Sequence, residues 1–279
     1  MKKFLFYLKM DKKILFISQE ITPFVPESPM SVLGKEIPQT IYELGFEARA
    51  FHPKWGNINE RRNQLHEVQR LSGMNTIIDD TDHPLIIKVA TLPSTKMQVY
   101  FIDNDDYFLK RLAACDREGV EYGDNYERAV FFARSALEIT KKLRWYPDYV
   151  LCQGWISAVA PFLIKTVYQD EPAFAEAKVV TSLQKLDITK PMPDRFPHFL
   201  TFRNIGIKEV NALKMEFRQP TDIMKLAIRF SDGIVITDEE VDPVLTDYAK
   251  EIGLPTIKFE PGSSRQDKTN SLNAMLQKL

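Results

Sequence analysis

The sequence predicts an α/β fold, a Rossmann-like and mainly parallel sheet with helices on both faces. Short apolar runs of the length of buried strands recur along the chain. Between them lie longer segments whose apolar residues return at helical spacing. Strands alternating with helices in this way are the mark of a parallel sheet joined by helical crossovers.

The first strand is read at Ile14–Ser18, from the run ILFIS. The first helix, Ser31–Leu44, carries Ile37, Ile41 and Leu44 on one face. Strands at Ala48–Phe51, Leu85–Val89 and Val99–Ile102 follow, rich in the β-branched and aromatic residues that suit a pleated surface. Asn125–Leu143 is the clearest helix, and Tyr149–Cys152, Val179–Ser182 and Gly233–Thr237 are further strands. Helices at Ile156–Tyr168, Thr221–Ser231 and Glu239–Ile252 complete the alternation. One domain is expected over residues 12–258, preceded by an extension at 1–11 and followed by a polar tail at 259–279 with little order beyond a short last helix. The proline-rich, aromatic block Lys190–Gln219 has no clean period and is open between a lid and a long packed loop.

A net charge of -1 leaves no basic excess to neutralise phosphates, which excludes nucleic acid or an anionic membrane as the main partner. No segment of the sequence approaches the ~20 apolar residues of a membrane span. The start, MKKFLFYLKM, has an apolar core at Phe4–Leu8 that is shorter than a secretory signal needs, so a cytoplasmic protein is expected, with Met10 as an alternative start. Cys115 and Cys152 lack any CxxC partner and read as reduced structural thiols. His52, His66, His83 and His198 show no metal-binding spacing, and Asp103–Asp106 lacks the glycine and glutamate of a calcium loop. No metal and no cofactor is implied.

In a parallel sheet, ligands sit beyond the C-terminal ends of the strands. Those stretches are Gln19–Pro29, Gln153–Trp155, Gln184–Asp187 and Asp238–Glu240. The frame around them contains six ordered fragments: ILFISQEITPF, FHPKWGNI, YFIDNDDYF, YGDNYERAVFFARSALEI, WYPDYVLCQGWISAVAPFLIK and DIMKLAIRFSDGIVITDEEV. Together they resemble the N-terminal half of the bacterial glycogen and starch synthases, glycosyltransferase family 5, across roughly residues 12–250. The matching family patterns are SSEIxPF, MPxYGxI, LDxPxxF, YxDNxxRFxxFxxAALE, WxPDVVHxHDWHTALxPxxLK and NxMKxGIxxADxxxTVSPxYA. The resemblance implies the N-terminal half of a GT-B glycosyltransferase, in enzymes that transfer glucose from ADP-glucose to a glucan.

The departures bear on chemistry. Where the family has KTGGLADV, with lysine and glycines on the phosphates and aspartate on glucose, this chain has Pro26, Ser28, Pro29 and Val32 in those four places. Proline removes an amide donor and fixes φ, so the loop cannot offer the same row of N–H groups. The HDW histidine becomes Gln153 and its aspartate Gly154, with Trp155 retained. The TIHN histidine becomes Gln184 and its asparagine Lys185, while the asparagine before MK becomes Asp222 with Lys225 kept. The family's second domain, which supplies a phosphate clamp and a glutamate near the reacting carbon, has no counterpart in these residues.

Candidate substrate-binding residues are therefore Glu20, Gln153, Trp155, Gln184 and Asp222, with no catalytic residue named. Two of them have a plainer alternative: Glu20 as a loop cap, Trp155 as a helix anchor rather than a stacking platform. Asp124, Asn125 and Arg128 read as a helix N-cap region, Asp238 and Glu239 as a helix N-terminus, and Lys54, Arg61, Arg62 and Arg70 as a solvated basic face. The expectation is a degenerate family member, inactive alone, that binds an α-glucan, a protein partner or, weakly, ADP-glucose. The rivals are an active or split glucosyltransferase completed by a separate nucleotide-binding domain, and a purely structural interaction protein.

Overall fold

A computed structural model describes residues 12–93 and 95–279. The extension expected at 1–11 lies outside the described residues. In chain order the elements are β1 (Lys13–Ser18), α1 (Pro29–Glu43), β2 (Glu47–Pro53), β3 (His66–Glu67), β4 (Met74–Ile78), β5 (Thr81–Thr91), β6 (Gln98–Asp103), α2 (Asp105–Phe108), α3 (Asn125–Lys142), β7 (Tyr149–Gln153), α4 (Ala160–Lys165), β8 (Lys178–Leu183), α5 (Phe196–Leu200), α6 (Ile207–Ala212), α7 (Pro220–Arg229), β9 (Gly233–Ile236), α8 (Pro243–Glu251), β10 (Thr256–Lys258) and α9 (Arg265–Leu276).

The sheet runs β10-β9-β8-β7-β1-β2-β6-β5-β3, with β4 paired to β5. From β10 to β6 every neighbouring pair is parallel, and β5 turns the edge antiparallel. All seven expected strands are present. Three were missed because they lack the signal: β3 is an exposed dipeptide, β4 is half exposed, and β10 has only three residues.

The strand order reverses between β1 and β7, so right-handed crossovers place helices on opposite faces of the two halves. Among them, α3 is the most deeply buried, including its Arg128 and Arg134. Arg128 donates to the carbonyls of Leu112 and Ala113 and to Asn125, so this junction is structural. Asp124 precedes the helix but makes no side-chain cap, because its carboxylate is held by Arg111 instead.

Several expectations need correction. The tail is not loose, since α9 packs on α1 with Leu272, Met275 and Leu276 buried, and Arg265 pairs with Glu43 at 3.1 Å. Its apolar residues fall on one face within a polar composition, and composition alone hides that face. The helix expected at Glu239–Ile252 starts later, at Pro243 behind the Asp242 cap, and Asp238 instead accepts the amides of Lys185 and Glu240. The helix expected at Ile156–Tyr168 is a 3-10 turn, Trp155–Ser157, followed by the short α4. Lys54 leaves the solvated face: it is 6% exposed and pairs with Glu60 at 3.1 Å, next to Lys88 and Asp103.

The Lys190–Gln219 block is a packed connector. The Glu121 carboxylate accepts from the amides of Thr189 and Lys190, and Tyr126 donates to the Lys190 carbonyl at 2.6 Å. Within the block, Met192, Phe196, Phe199 and Leu200 are buried. A lid would need a face free to move.

His52, at the end of β2, is fully buried. Its Nε2 accepts from the Ile21 amide at 3.2 Å and its Nδ1 lies 2.6 Å from the Pro53 carbonyl, which fixes the loop after β1. Burial pushes its pKa from the usual 6.5 down to about 4. The unfolded chain therefore takes up a proton that the native chain refuses in that window. Stability should be complete above pH 6.5 and fall as pH drops towards 4, by about 3 kcal/mol from this group. Urea midpoints of native protein and His52→Gln across this range test it. The variant should lack that component of the slope, and equal slopes would refute the assignment.

Candidate functional site

The crevice lies outside the C-terminal ends of β1, β7, β8 and β9, at the point where the strand order reverses. The Gln19 amide N–H bonds the Gln153 carbonyl at 3.0 Å and so ties the two diverging strand ends together. Above them, the loop from β1 enters α1.

That entry is closed on itself. Ser28 is the N-cap: its hydroxyl accepts the Ser31 amide at 3.0 Å, and the Ser31 hydroxyl accepts the Ser28 amide at 2.8 Å. Pro29 occupies the first helical position and has no N–H. Val32 donates its amide to the Ser28 carbonyl, and Pro26 accepts from the Ser31 hydroxyl. Few helix-start donors remain for an anion. Glu20 then accepts from the Ser28 hydroxyl at 2.6 Å, which places a carboxylate at the positive end of α1.

Two of the five candidates line this crevice, and Gln153 and Trp155 lie next to it at the end of β7. Glu20 and Gln184 line it with Ser28, Met30, Lys185, Asp187 and Asp238. Gln153 donates to the Met30 carbonyl at 3.0 Å, and its Oε1 is buried without a partner. Gln184 accepts from the Ser182 hydroxyl at 3.0 Å. Trp155 lies beneath them, only 1% exposed, so its ring cannot stack on a sugar; it anchors the turn after β7. Asp222 stands apart on α7, where it accepts the amides of Arg218 and Gln219 and pairs with Lys225 at 3.0 Å. It faces a different cleft, lined also by Lys214, Arg229 and Tyr248.

Two further residues belong to the site. Gln19 is fully buried and donates to Asp187 at 3.2 Å, while its Oε1 has no partner. Asp187 is exposed as a residue, but its carboxyl end is enclosed. Burial first, then the nearby Glu20 charge, pushes its pKa up to about 6, and solvent on the exposed part tempers that shift. Both residues lay in the stretches flagged after β1 and β8; no residue-level pattern singled them out.

Two glycines set the clearances. Gly154 has φ +83, and a Cβ there would stand 2.3 Å from the Gln19 Oε1. At Gly34, in α1, a Cβ would stand 2.0 Å from the Glu20 carbonyl oxygen. Gly34→Ala should therefore push α1 away from the crevice and cost roughly 1–3 kcal/mol or more. Gly123→Ala, with open space around it, is the matched control. Equal melting temperatures for the two variants would contradict this reading.

The family described as the starch synthase catalytic domain matches residues 13–257. The chain belongs to this family. Relatives include the glycogen synthase of Chlorobium limicola, 30% identical over 263 residues that span 94% of this chain and 53% of that protein. The glycogen synthase of Chlorobium phaeobacteroides is 36% identical over 250 residues, 89% of this chain and 50% of that protein. This family member thus spans about half the length of the curated relatives it matches. In fold it resembles the catalytic domain of starch synthase IV from Arabidopsis thaliana, bound to ADP and acarbose, with a TM-score of 0.65 at 16% identity over 80% of this chain and 44% of that one. Among the described residues no helix is long and apolar enough to cross a membrane, and no group of His, Cys, Asp or Glu could hold a metal ion.

Proposed function

We propose that this family member binds an α-glucan and transfers no glucose by itself. The reading rests on the start of α1, where the Ser28–Ser31 box and the Glu20 carboxylate occupy the position that the resemblance assigns to phosphate contacts. A helix N-terminus attracts anions through free amides and a positive end. Here most of those amides and the positive end are already engaged.

Calorimetry with ADP-glucose, ADP and malto-oligosaccharides tests this. The nucleotides should bind with millimolar Kd or not at all, because each lost charge-assisted contact removes roughly 1.5–3 kcal/mol. Malto-oligosaccharide binding should persist in the presence of excess ADP. Micromolar binding of ADP-glucose would overturn the reading. A second reading, one part of a two-part enzyme completed by a nucleotide-binding domain, is favoured by the match of residues 13–257 to the starch synthase catalytic domain.

A further inference from the structure

Beside the crevice, between one face of the sheet and α1, lies a cavity of about 50 Å³. Its floor is laid by residues two apart on adjacent parallel strands, which therefore share a face. Phe16, Leu151 and Val180 are register partners on β1, β7 and β8 and form an inner apolar row. Two residues further on, Ser18, Gln153 and Ser182 form an outer polar row, which Thr237 extends just after β9. Phe259 and Leu272 complete the lining, and both lie beyond the residues 13–257 that the family matches. Leu33 and Thr237 also line the crevice that holds Glu20 and Gln184, so the cavity adjoins it.

The hydrogen bonds of the polar row decide what it can receive. The Ser182 hydroxyl donates to Gln184 at 3.0 Å, the Thr237 hydroxyl to the Leu183 carbonyl at 3.1 Å, and the Gln153 amide to the Met30 carbonyl at 3.0 Å. The Gln153 Oε1 is left buried without a partner, against the α1 wall, where a Cβ on Gly34 would lie 3.3 Å from it. On the same wall, Pro38 has no N–H to give to the Gly34 carbonyl one turn earlier. Buried acceptors without donors are uncommon in native proteins, and a ligand hydroxyl supplies the proton that Gln153 lacks. A carboxylate brings only acceptors, and Glu20, Asp187 and Asp238 in the adjoining crevice repel its charge.

A water needs roughly 10–15 Å³ on this measure, so the cavity holds roughly three or four heavy atoms. We propose that it takes the short alkyl end of a neutral, hydroxyl-bearing molecule, an alkyl glycoside whose sugar sits in the crevice. The inference rests on the sugar-binding reading above and adds an apolar subsite to it. The alkyl chain packs on Phe16, Leu151 and Val180, and a sugar hydroxyl beside it donates to the Gln153 Oε1.

The test titrates the full chain at pH 7, followed by NMR, with four probes: n-butyl α-glucoside, methyl α-glucoside, maltotetraose and butyrate. The butyl glucoside should bind about tenfold or more tightly than the methyl glucoside, because three further methylenes leave water. Butyrate should show no binding. Val180→Leu, or Val180→Ile if the first variant melts early, fills the floor and should remove the butyl advantage while methyl glucoside affinity stays the same. Gln153→Leu should weaken the butyl glucoside about fivefold or more, the effect of one lost hydrogen bond.

Equal affinity for the two glucosides would overturn this inference and leave the glucan reading standing. A butyl advantage with no binding of maltotetraose would uphold it and remove the glucan as ligand. An advantage that survives in the Val180 variants would place the alkyl chain outside the cavity and defeat the assignment. Butyrate binding as tightly as the butyl glucoside would defeat the choice of a neutral hydroxyl-bearing ligand. No binding of any probe would defeat both readings.

Discussion

Purified chain incubated with ADP-glucose and glycogen is expected to incorporate no glucose above a boiled control. Transfer requires that the leaving ADP have its growing charge neutralised. The crevice supplies the opposite: three carboxylates, one engaged lysine, and a helix start whose capping groups satisfy each other. Restoring the loop alone should not help. Pro26→Lys, Ser28→Gly and Pro29→Gly would reopen amides at α1 but leave Asp187 and Asp238 in place. Gly154→Asp would also force a side chain into positive φ, against Gln19. Binding energy that acts only in the transition state must come from groups aimed at the departing charge, and this loop offers none. If a cognate nucleotide-binding domain restores turnover when added, and Gln153→Ala then lowers it, the two-part enzyme is the correct reading. Measurable incorporation by the unaided chain would refute both.

The second large effect is on stability. Arg134 is 1% exposed and donates to the carbonyls of Ile77, Phe199 and Thr201, with its guanidinium 4.5 Å from the Phe202 ring centroid. Burial pushes its pKa down to about 10, and its hydrogen bonds all go to backbone carbonyls. Arg134→Met keeps volume but leaves three carbonyls unpaired, at a cost of about 3–5 kcal/mol in a urea titration. Arg134→Lys should be intermediate, since one ammonium cannot span the same fork of acceptors. Arg203→Ala is the contrast: its half-exposed pair with Glu138 should contribute less than about 1 kcal/mol. Similar costs for the two sites would show that Arg134 does not pin the 190–219 connector.

The strands and the longer helices were legible because burial on a sheet or a helix face leaves a period in the sequence. The crevice was legible by position, through the rule that strand ends face ligands, and by resemblance for Glu20, Gln153 and Gln184. What could not be read depends on contacts between distant residues. Arg134 reaches residues 57 and 65 positions away to find its acceptors. Asp187 meets Gln19 across 168 positions, and no local pattern records that. Asp222 was misplaced because a helix-capping carboxylate and a ligand contact look alike in sequence.

The self-capped start of α1 has a consequence for the thermodynamics of recognition. A phosphate loop that depends on its ligand must lose conformational freedom as it closes, and affinity is reduced accordingly. Here Ser28, Ser31 and Glu20 hold the loop by bonds within the chain. A ligand therefore meets a surface already set. Its association should show little ordering penalty and only a small change in heat capacity.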